Sequence, residues 1–133
     1  MSLLDINLSD RQDLKVLEDN SEVQLRIARA EITPNRSDPS RNNLAITFDV
    51  PSEPLADDIR VWIPIPSATM QEENPKQHSK QMNRIAEFCN AFKLEPPIDT
   101  GEMLGLEGWA ILREEEGLDG NMQNSVRRYI VQR

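Results

Sequence analysis

Apolar and polar residues alternate along three successive stretches in the first half of this chain, at residues 23–27, 44–50 and 59–65. A period of two residues is typical of β-strands that bury one face. Up to Ile27 the apolar residues occupy odd-numbered positions. After Ile27 they occupy even-numbered positions, so Ala28, Ala30 and Ile32 continue the alternation on the opposite face. This switch predicts a β-bulge that bends a long first strand and lets it serve two parts of a curved sheet.

The second half of the chain contains one helical pattern followed by two more strand patterns. Asn74 and Pro75 form an N-cap and first-turn pair, and apolar residues then recur at helical spacing, namely Met82, Ile85, Ala86, Cys89 and Phe92. Two prolines at positions 96 and 97 predict the end of the helix. Strands are predicted over residues 106–113 and about 124–131, with a turn over residues 114–120.

The predicted order is strand, strand, strand, helix, strand, strand. This is the order of the OB-fold, a five-stranded barrel that binds oligonucleotides on strands 2 and 3 and on the loops beside them. A curved sheet packed on one helix has the same order. We therefore predict an all-β fold with one helix, OB-fold-like, over residues 22–133, preceded by an acidic N-terminal arm over residues 1–21.

Composition restricts the function classes. A chain of 133 residues suits one core. One cysteine excludes an internal disulfide framework, and no membrane-length apolar run or secretory n-region occurs. Neither a glycine-rich phosphate loop nor a GxSxG motif is present, and we interpret the acidic run at residues 114–116 as a solvated turn. We expect a cytoplasmic, non-enzymatic protein without cofactor or metal.

The net charge of -8 is the main objection to nucleic-acid binding. Six acids and two bases lie within residues 1–22, which leaves 17 acids and 13 bases for the rest. Further acids cluster at residues 57–58 and 114–116. A neutral or basic groove elsewhere on the surface is therefore compatible with the composition.

Trp62 and Arg60 are the leading candidates for a nucleic-acid site. Both lie on the face of the third strand opposite its aliphatic row, and a ring beside a guanidinium suits base stacking and phosphate contact. Packing of Trp62 under the arm or in an oligomer interface is the alternative. Further candidates are Trp109, Tyr129, Arg36 and Arg41 in the loop after the first strand, and Arg127 and Arg128 on the last strand.

Two other groups of residues are interpreted as structural and not as parts of a binding site. Phe48, Phe88 and Phe92 share faces with aliphatic residues and are predicted to lie in the core. Lys76, Lys80 and Arg84 recur at a spacing of four, and we interpret this stripe as a solvated helix face.

Four segments resemble a family of small bacteriophage proteins thought to be OB-fold single-stranded DNA-binding proteins. They are VQLRIARAEITPNRSDPSRNNLAITFDV, RIAEFCNAFKL, EMLGLEGWAILREEEG and GNMQNSVRRYIV. The matching positions are Ala30, Glu31, Ile32 and Thr33, then Leu44, Ile46 and Phe48, then Leu104, Gly105 and Gly108. In that family the loop after the position of Pro34 is usually richer in lysine and glycine than it is here.

The resemblance implies a protein that coats single-stranded DNA without sequence preference during phage replication or recombination, in the host cytoplasm. Its predicted partners are single-stranded DNA, a second copy of the chain, and replication or recombination proteins bound through the acidic arm; no membrane is involved. The alternative is a non-catalytic structural or protein-interaction module whose exposed aromatic residues form a homo-oligomer interface.

Overall fold

The computed structural model describes residues 2–131 and contains a five-stranded antiparallel sheet. Its strands are β1 (Glu22–Pro34), β2 (Asn42–Asp49), β3 (Ile59–Ile65), β4 (Glu107–Glu116) and β5 (Met122–Tyr129). Their order across the sheet is β3-β2-β1-β4-β5. The helices are α1 (Ala68–Glu73), α2 (Pro75–Ala91) and α3 (Thr100–Met103), with a 3-10 turn at Leu8–Asp10.

Strand β1 serves both halves of the sheet. Its first part, from Glu22 to Arg26, pairs with β4, and its second part, from Arg26 to Pro34, pairs with β2. The register with β2 shifts between Ile27 and Arg29. The bulge predicted from the parity change after Ile27 is thus confirmed, and it lies where β1 changes partner.

The sheet is not a closed barrel. Its edge strands β3 and β5 contact each other, but no ladder of hydrogen bonds joins them within the described residues. Pro64 lies near the end of β3 and has no N–H to donate to a neighbouring strand. Helix α2 contacts both edge strands and therefore lies beside the gap between them. The mostly-β class is confirmed, whereas closure into a barrel is not.

Four aromatic rings fill the centre of the core. Phe48 stacks on Phe92 with ring centroids 5.5 Å apart and an interplanar angle of 17°. Phe88 lies 5.0 Å from Phe92, and Tyr129 packs edge-on against Phe88 at 5.4 Å. All four side chains are buried. The core positions predicted for Phe48, Phe88 and Phe92 are confirmed.

The prediction of a single helix was incomplete, because α1 and α3 flank the predicted helix. The Asn74 cap is confirmed, since its side chain accepts a hydrogen bond from the Gln77 N–H. Of the apolar residues that recur at helical spacing, Met82 and Ala86 are exposed, because only the C-terminal end of α2 reaches the core. None of the helices within residues 2–131 is both long and apolar enough to cross a membrane.

The hairpin of β4 and β5 also differs from the prediction. Strand β4 continues to Glu116, so the acidic run at residues 114–116 pairs with β5 and does not form a turn. The turn comprises residues 117–121. An extra residue, Arg127, lies in β5 where Ile111 pairs with Arg128 and Leu112 pairs with Val126. This bulge turns both Val126 and Tyr129 toward the core.

The N-terminal segment divides into two parts. Residues 15–21 bind to the body: the Lys15 N–H donates to the Leu55 carbonyl at 2.8 Å, and the Asn20 N–H donates to the Leu112 carbonyl at 2.8 Å. Leu17 packs partly against the core. The large apolar side chains before residue 15 are exposed, namely Leu3, Leu4, Ile6, Leu8 and Leu14. The name arm, given above to the predicted residues 1–21, is used from here on for residues 2–14 alone, because residues 15–21 bind to the body.

Candidate nucleic-acid interface

The outer face of β1, β2 and β3 carries a shallow channel built from two cross-strand rows. One row is Arg29, Thr47 and Arg60, and the next is Glu31, Ala45 and Trp62. Alternation along β2 places Leu44, Ile46 and Phe48 in the core, so Ala45 and Thr47 must point outward. We call the space above these two residues the outer channel.

Small side chains form the floor of the outer channel and long ones form its walls. The floor comprises Ala45 and Thr47 of β2, Ala28 and Thr33 of β1 also line the channel, and the volume is about 510 Å³. Arg29 and Glu31 rise on the β1 side, and Arg60 and Trp62 rise on the β3 side. The channel exists because β2 carries short residues between two strands that carry long ones.

Trp62 presents its ring to solvent. The side chain is 60% exposed, and its cross-strand neighbour on β2 is Ala45, which is too small to cover an indole. The alternative that Trp62 packs under the N-terminal segment is therefore wrong for the described residues. An indole in this position can stack on a planar ligand or on the surface of another molecule.

Charges within the outer channel are balanced. Arg29 and Arg60 line it together with Glu31 and Asp58, and Arg29 forms an exposed ion pair with Glu31 at 3.7 Å. On the side of Trp62 nearer the β4–β5 turn, three aspartates and Arg60 line a second hollow. The outer channel therefore suits planar rings better than a dense row of phosphates.

Trp109 and Trp62 do not lie on one continuous surface. It is 43% exposed and lies on β4 opposite Gln24 of β1, whereas the row of Trp62 meets β1 at Glu31. The seven intervening steps along β1 correspond to roughly 23 Å. The two predicted aromatic candidates are thus separate surface features.

Tyr129 is not available for stacking, which corrects its assignment as a nucleic-acid contact. The residue is 6% exposed, and its ring contacts Phe48, Phe88 and Phe92. Its N–H donates to Oε1 of Glu87 at 3.0 Å, which fixes β5 against α2. Burial raises the pKa of the Tyr129 phenol.

The loop between β1 and β2 holds Arg36 and Arg41 beyond the Thr33 end of the outer channel. Arg41 forms an ion pair with Asp38 at 3.3 Å, and the Asn35 side chain accepts from the Ser37 N–H at 2.8 Å. Hydrogen bonds from Ser40, and then the charge of Arg41, lower the pKa of Asp38. Arg41 is therefore engaged within its own loop, whereas Arg36 is exposed.

Arg127 and Arg128 lie outside the outer channel. Both line a groove between β5 and α2, together with Lys80 and Arg84 of the helix. The stripe that the sequence assigned to a solvated face thus shares a groove with two predicted site residues. Within residues 2–131, no three histidine, cysteine, aspartate or glutamate side chains are placed to hold a metal ion.

Sequence reasoning missed Arg29, Ala45 and Thr47 as components of the site. The alternation along β2 already placed Ala45 and Thr47 outside the core. Their position between Arg29 and Arg60 depends on the cross-strand register, which the bulge after Ile27 sets. Arg113 was also missed, and it lines the groove beside Arg127.

No protein-family model matches this chain, and no curated protein matches it at a significant level.

Proposed function

We propose that this chain binds single-stranded DNA without sequence preference, with the outer channel as the surface that receives bases. The observation that carries the proposal is the exposed Trp62 ring beside Arg60, above a floor of Ala45 and Thr47. Every base has a face that can stack on an indole, so this contact is independent of sequence. The resemblance to phage single-stranded DNA-binding proteins supports the same function.

The topology supports an OB-fold-like interpretation of the sheet. The order β3-β2-β1-β4-β5, with the two edge strands in contact, is that of a five-stranded barrel left open between β3 and β5. OB-folds are partly open barrels whose strand 2 and 3 face binds oligonucleotides. Trp62, Arg60 and Ala45 lie on the equivalent face here.

The shape of the outer channel favours a single strand over a duplex. Its walls stand on strands separated by one intervening strand, so their backbones are about 10 Å apart. Unpaired bases can lie flat in such a channel, whereas paired bases are stacked on their neighbours and hide their faces. The proposed ligand is therefore an unpaired strand.

The test is an anisotropy titration of dye-labelled oligo(dT) of about 30 nucleotides at low salt, which measures affinity without the tryptophans; quenching of tryptophan emission in the unmodified chain reports the stacking itself. Trp62→Ala is expected to weaken binding by about 1–3 kcal/mol, which is the contribution of one stacked base. Trp109→Ala is the matched control, since it removes the same exposed side chain from a distant strand. We expect its affinity to equal that of the unmodified chain.

Two outcomes would overturn the proposal. One is the absence of binding to oligo(dT) at low salt, and the other is equal affinity for Trp62→Ala and the unmodified chain. A duplex of the same length should compete poorly, because its bases are already paired. Equal competition by duplex would refute the single-strand preference.

A second candidate function is self-association, and the exposed arm favours it. Five large apolar side chains of the arm face solvent, and covering them against another copy would remove apolar surface from water. Sedimentation of the full chain and of a chain lacking residues 1–14 tests this function. A concentration-dependent oligomer that is lost on truncation supports it, and a monomer in both cases refutes it.

A further inference from the structure

We propose a second binding site, for the phosphodiester backbone of a single strand, along helix α2 and strand β5. The inference rests on the proposed function and extends the path of the strand beyond the outer channel. The groove between α2 and β5 has a volume of about 470 Å³. Five of its nine lining residues are cationic and one is acidic, the cations being Lys80, Arg84, Arg113, Arg127 and Arg128. We call this the basic groove.

Helix α2 extends the cationic surface beyond the basic groove. Lys76, Lys80 and Arg84 lie four residues apart, hence on one face of the helix and about 6 Å apart along its axis. They line an adjoining groove of about 480 Å³ with Pro64 and three amide side chains, and no acid lines it. A row of evenly spaced cations suits a chain of phosphates better than a single small anion.

Most of these cations form no ion pair with another described residue. Among the described residues, Arg127 alone of the groove cations forms an ion pair, with Asp19 at 3.0 Å. The single acid of the basic groove, Glu87, is engaged through Oε1, which accepts the Tyr129 N–H. Five cations against one acid therefore give the groove a positive excess, on a protein whose net charge is -8.

The gap between β3 and β5 connects the basic groove to the outer channel. A cleft of about 200 Å³ at this gap is lined by Arg60 and Trp62 from β3 and by Arg84 from α2, with Glu115 of β4 as its single acid. Arg60 and Trp62 also line the outer channel, and Arg84 also lines the basic groove. One strand can therefore stack on Trp62 and continue over Arg84 without leaving the surface.

A hollow that adjoins this cleft on the side of the β4–β5 turn, and shares Arg60, Trp62 and Gln123 with it, is unfavourable for a polyanion. Asp57, Asp58 and Asp119 line the hollow on that side, with Arg60 as its single cation. Phosphates would meet repulsion there and attraction at Arg84. The charge distribution thus favours the direction from Trp62 toward Arg84, where two cations face one acid, over the direction toward the β4–β5 turn, where one cation faces three.

The two sites differ in their expected response to salt. Each phosphate neutralised on a single strand contributes about 0.7 to the slope of log affinity against log salt. Lys80→Gln with Arg84→Gln should therefore lower the magnitude of this slope by about 1.4. Trp62→Ala should reduce the affinity and leave the slope unchanged, because stacking releases no counterions.

The experiment measures oligo(dT) affinity by anisotropy over a series of salt concentrations for the full chain and for both variants. Arg11→Gln with Lys93→Gln is the matched control, because it removes the same charge from exposed positions outside the basic groove. We expect the slope of this control to equal that of the unmodified chain.

An unchanged slope for Lys80→Gln with Arg84→Gln, together with weakened binding by Trp62→Ala, would overturn the second site and leave the proposed function intact. An equal loss of slope in the control pair would also overturn it, because the effect would then reflect net charge alone. Absence of binding by the unmodified chain at low salt would overturn both proposals.

Discussion

Asp19 and Arg127 are joined by an ion pair in which both carboxylate oxygens accept from one guanidinium nitrogen, at 3.0 and 3.2 Å. Oδ1 of Asp19 also accepts the Glu114 N–H at 2.9 Å. One side chain of the N-terminal segment is thereby bound to both β4 and β5. It also neutralises one cation of the basic groove, so the segment before β1 affects the surface proposed to bind phosphate.

Acid should release this contact. The Glu114 N–H first, and then Arg127, lower the pKa of Asp19. A carboxyl group with a lowered pKa in the folded state stabilises that state above its ordinary pKa, and the contribution is lost as pH falls through the folded value. We expect the NMR amide shift of Glu114 to titrate with a midpoint below the ordinary aspartate value of about 3.9.

Asp19→Ala should abolish this titration of the Glu114 amide, because the acceptor is then gone. Asp13→Ala is the control, since it removes an exposed acid of the arm and should leave the titration unchanged. A midpoint at or above the ordinary value in the unmodified chain would contradict the contact.

Gly108 lies where β4 passes closest to the end of α2. A Cβ at this position would lie 2.7 Å from the Ala91 carbonyl oxygen and 3.1 Å from the Phe92 ring. A backbone oxygen cannot move aside as a flexible side chain can. We expect Gly108→Ala to lower the free energy of unfolding by about 1–3 kcal/mol, measured by urea denaturation.

Gly101→Ala is the matched control for this prediction. The nearest atom to its Cβ would be Oδ1 of Asp99 at 3.6 Å, an ordinary contact, and alanine favours helix over glycine. The two variants should therefore change stability in opposite directions. Equal urea midpoints for Gly108→Ala and the unmodified chain would show that β4 does not approach α2 so closely.

The local alternation of apolar and polar residues was sufficient to predict much of the sheet. Alternation in β2 and β3 correctly separated the core residues from the outward Ala45 and Trp62, and the parity change after Ile27 located the bulge. Helices α1 and α3 have capping residues in Ser67 and Asp99. They are six and four residues long, too short for an apolar period to be recognised.

Features that depend on tertiary packing could not be predicted in the same way. Strict alternation along β5 would put Tyr129, three residues after Val126, on the opposite face, but the bulge at Arg127 brings both to the core. The stripe containing Lys80 and Arg84 is visible in the sequence. Its significance depends on the packing of α2 beside β5, which no local pattern specifies.

Tyr129 provides a direct test of this core arrangement, because it is the only tyrosine in the chain. Burial raises its pKa above the ordinary value of about 10. A phenol with a raised folded pKa contributes stability that is fully present below its unfolded pKa and is lost as pH rises beyond it. Phenolate absorbance should therefore appear together with loss of the circular dichroism of the fold.

The chain unfolded in guanidinium is the reference for this titration, and its phenolate should form near pH 10. Phenolate formation at that pH with the circular dichroism intact would contradict burial among Phe48, Phe88 and Phe92. It would also return Tyr129 to the exposed aromatic residues, beside Arg84 in the cleft that leads from Trp62 to the basic groove. The titration therefore decides whether Tyr129 is accessible to a ligand in the cleft beside Trp62.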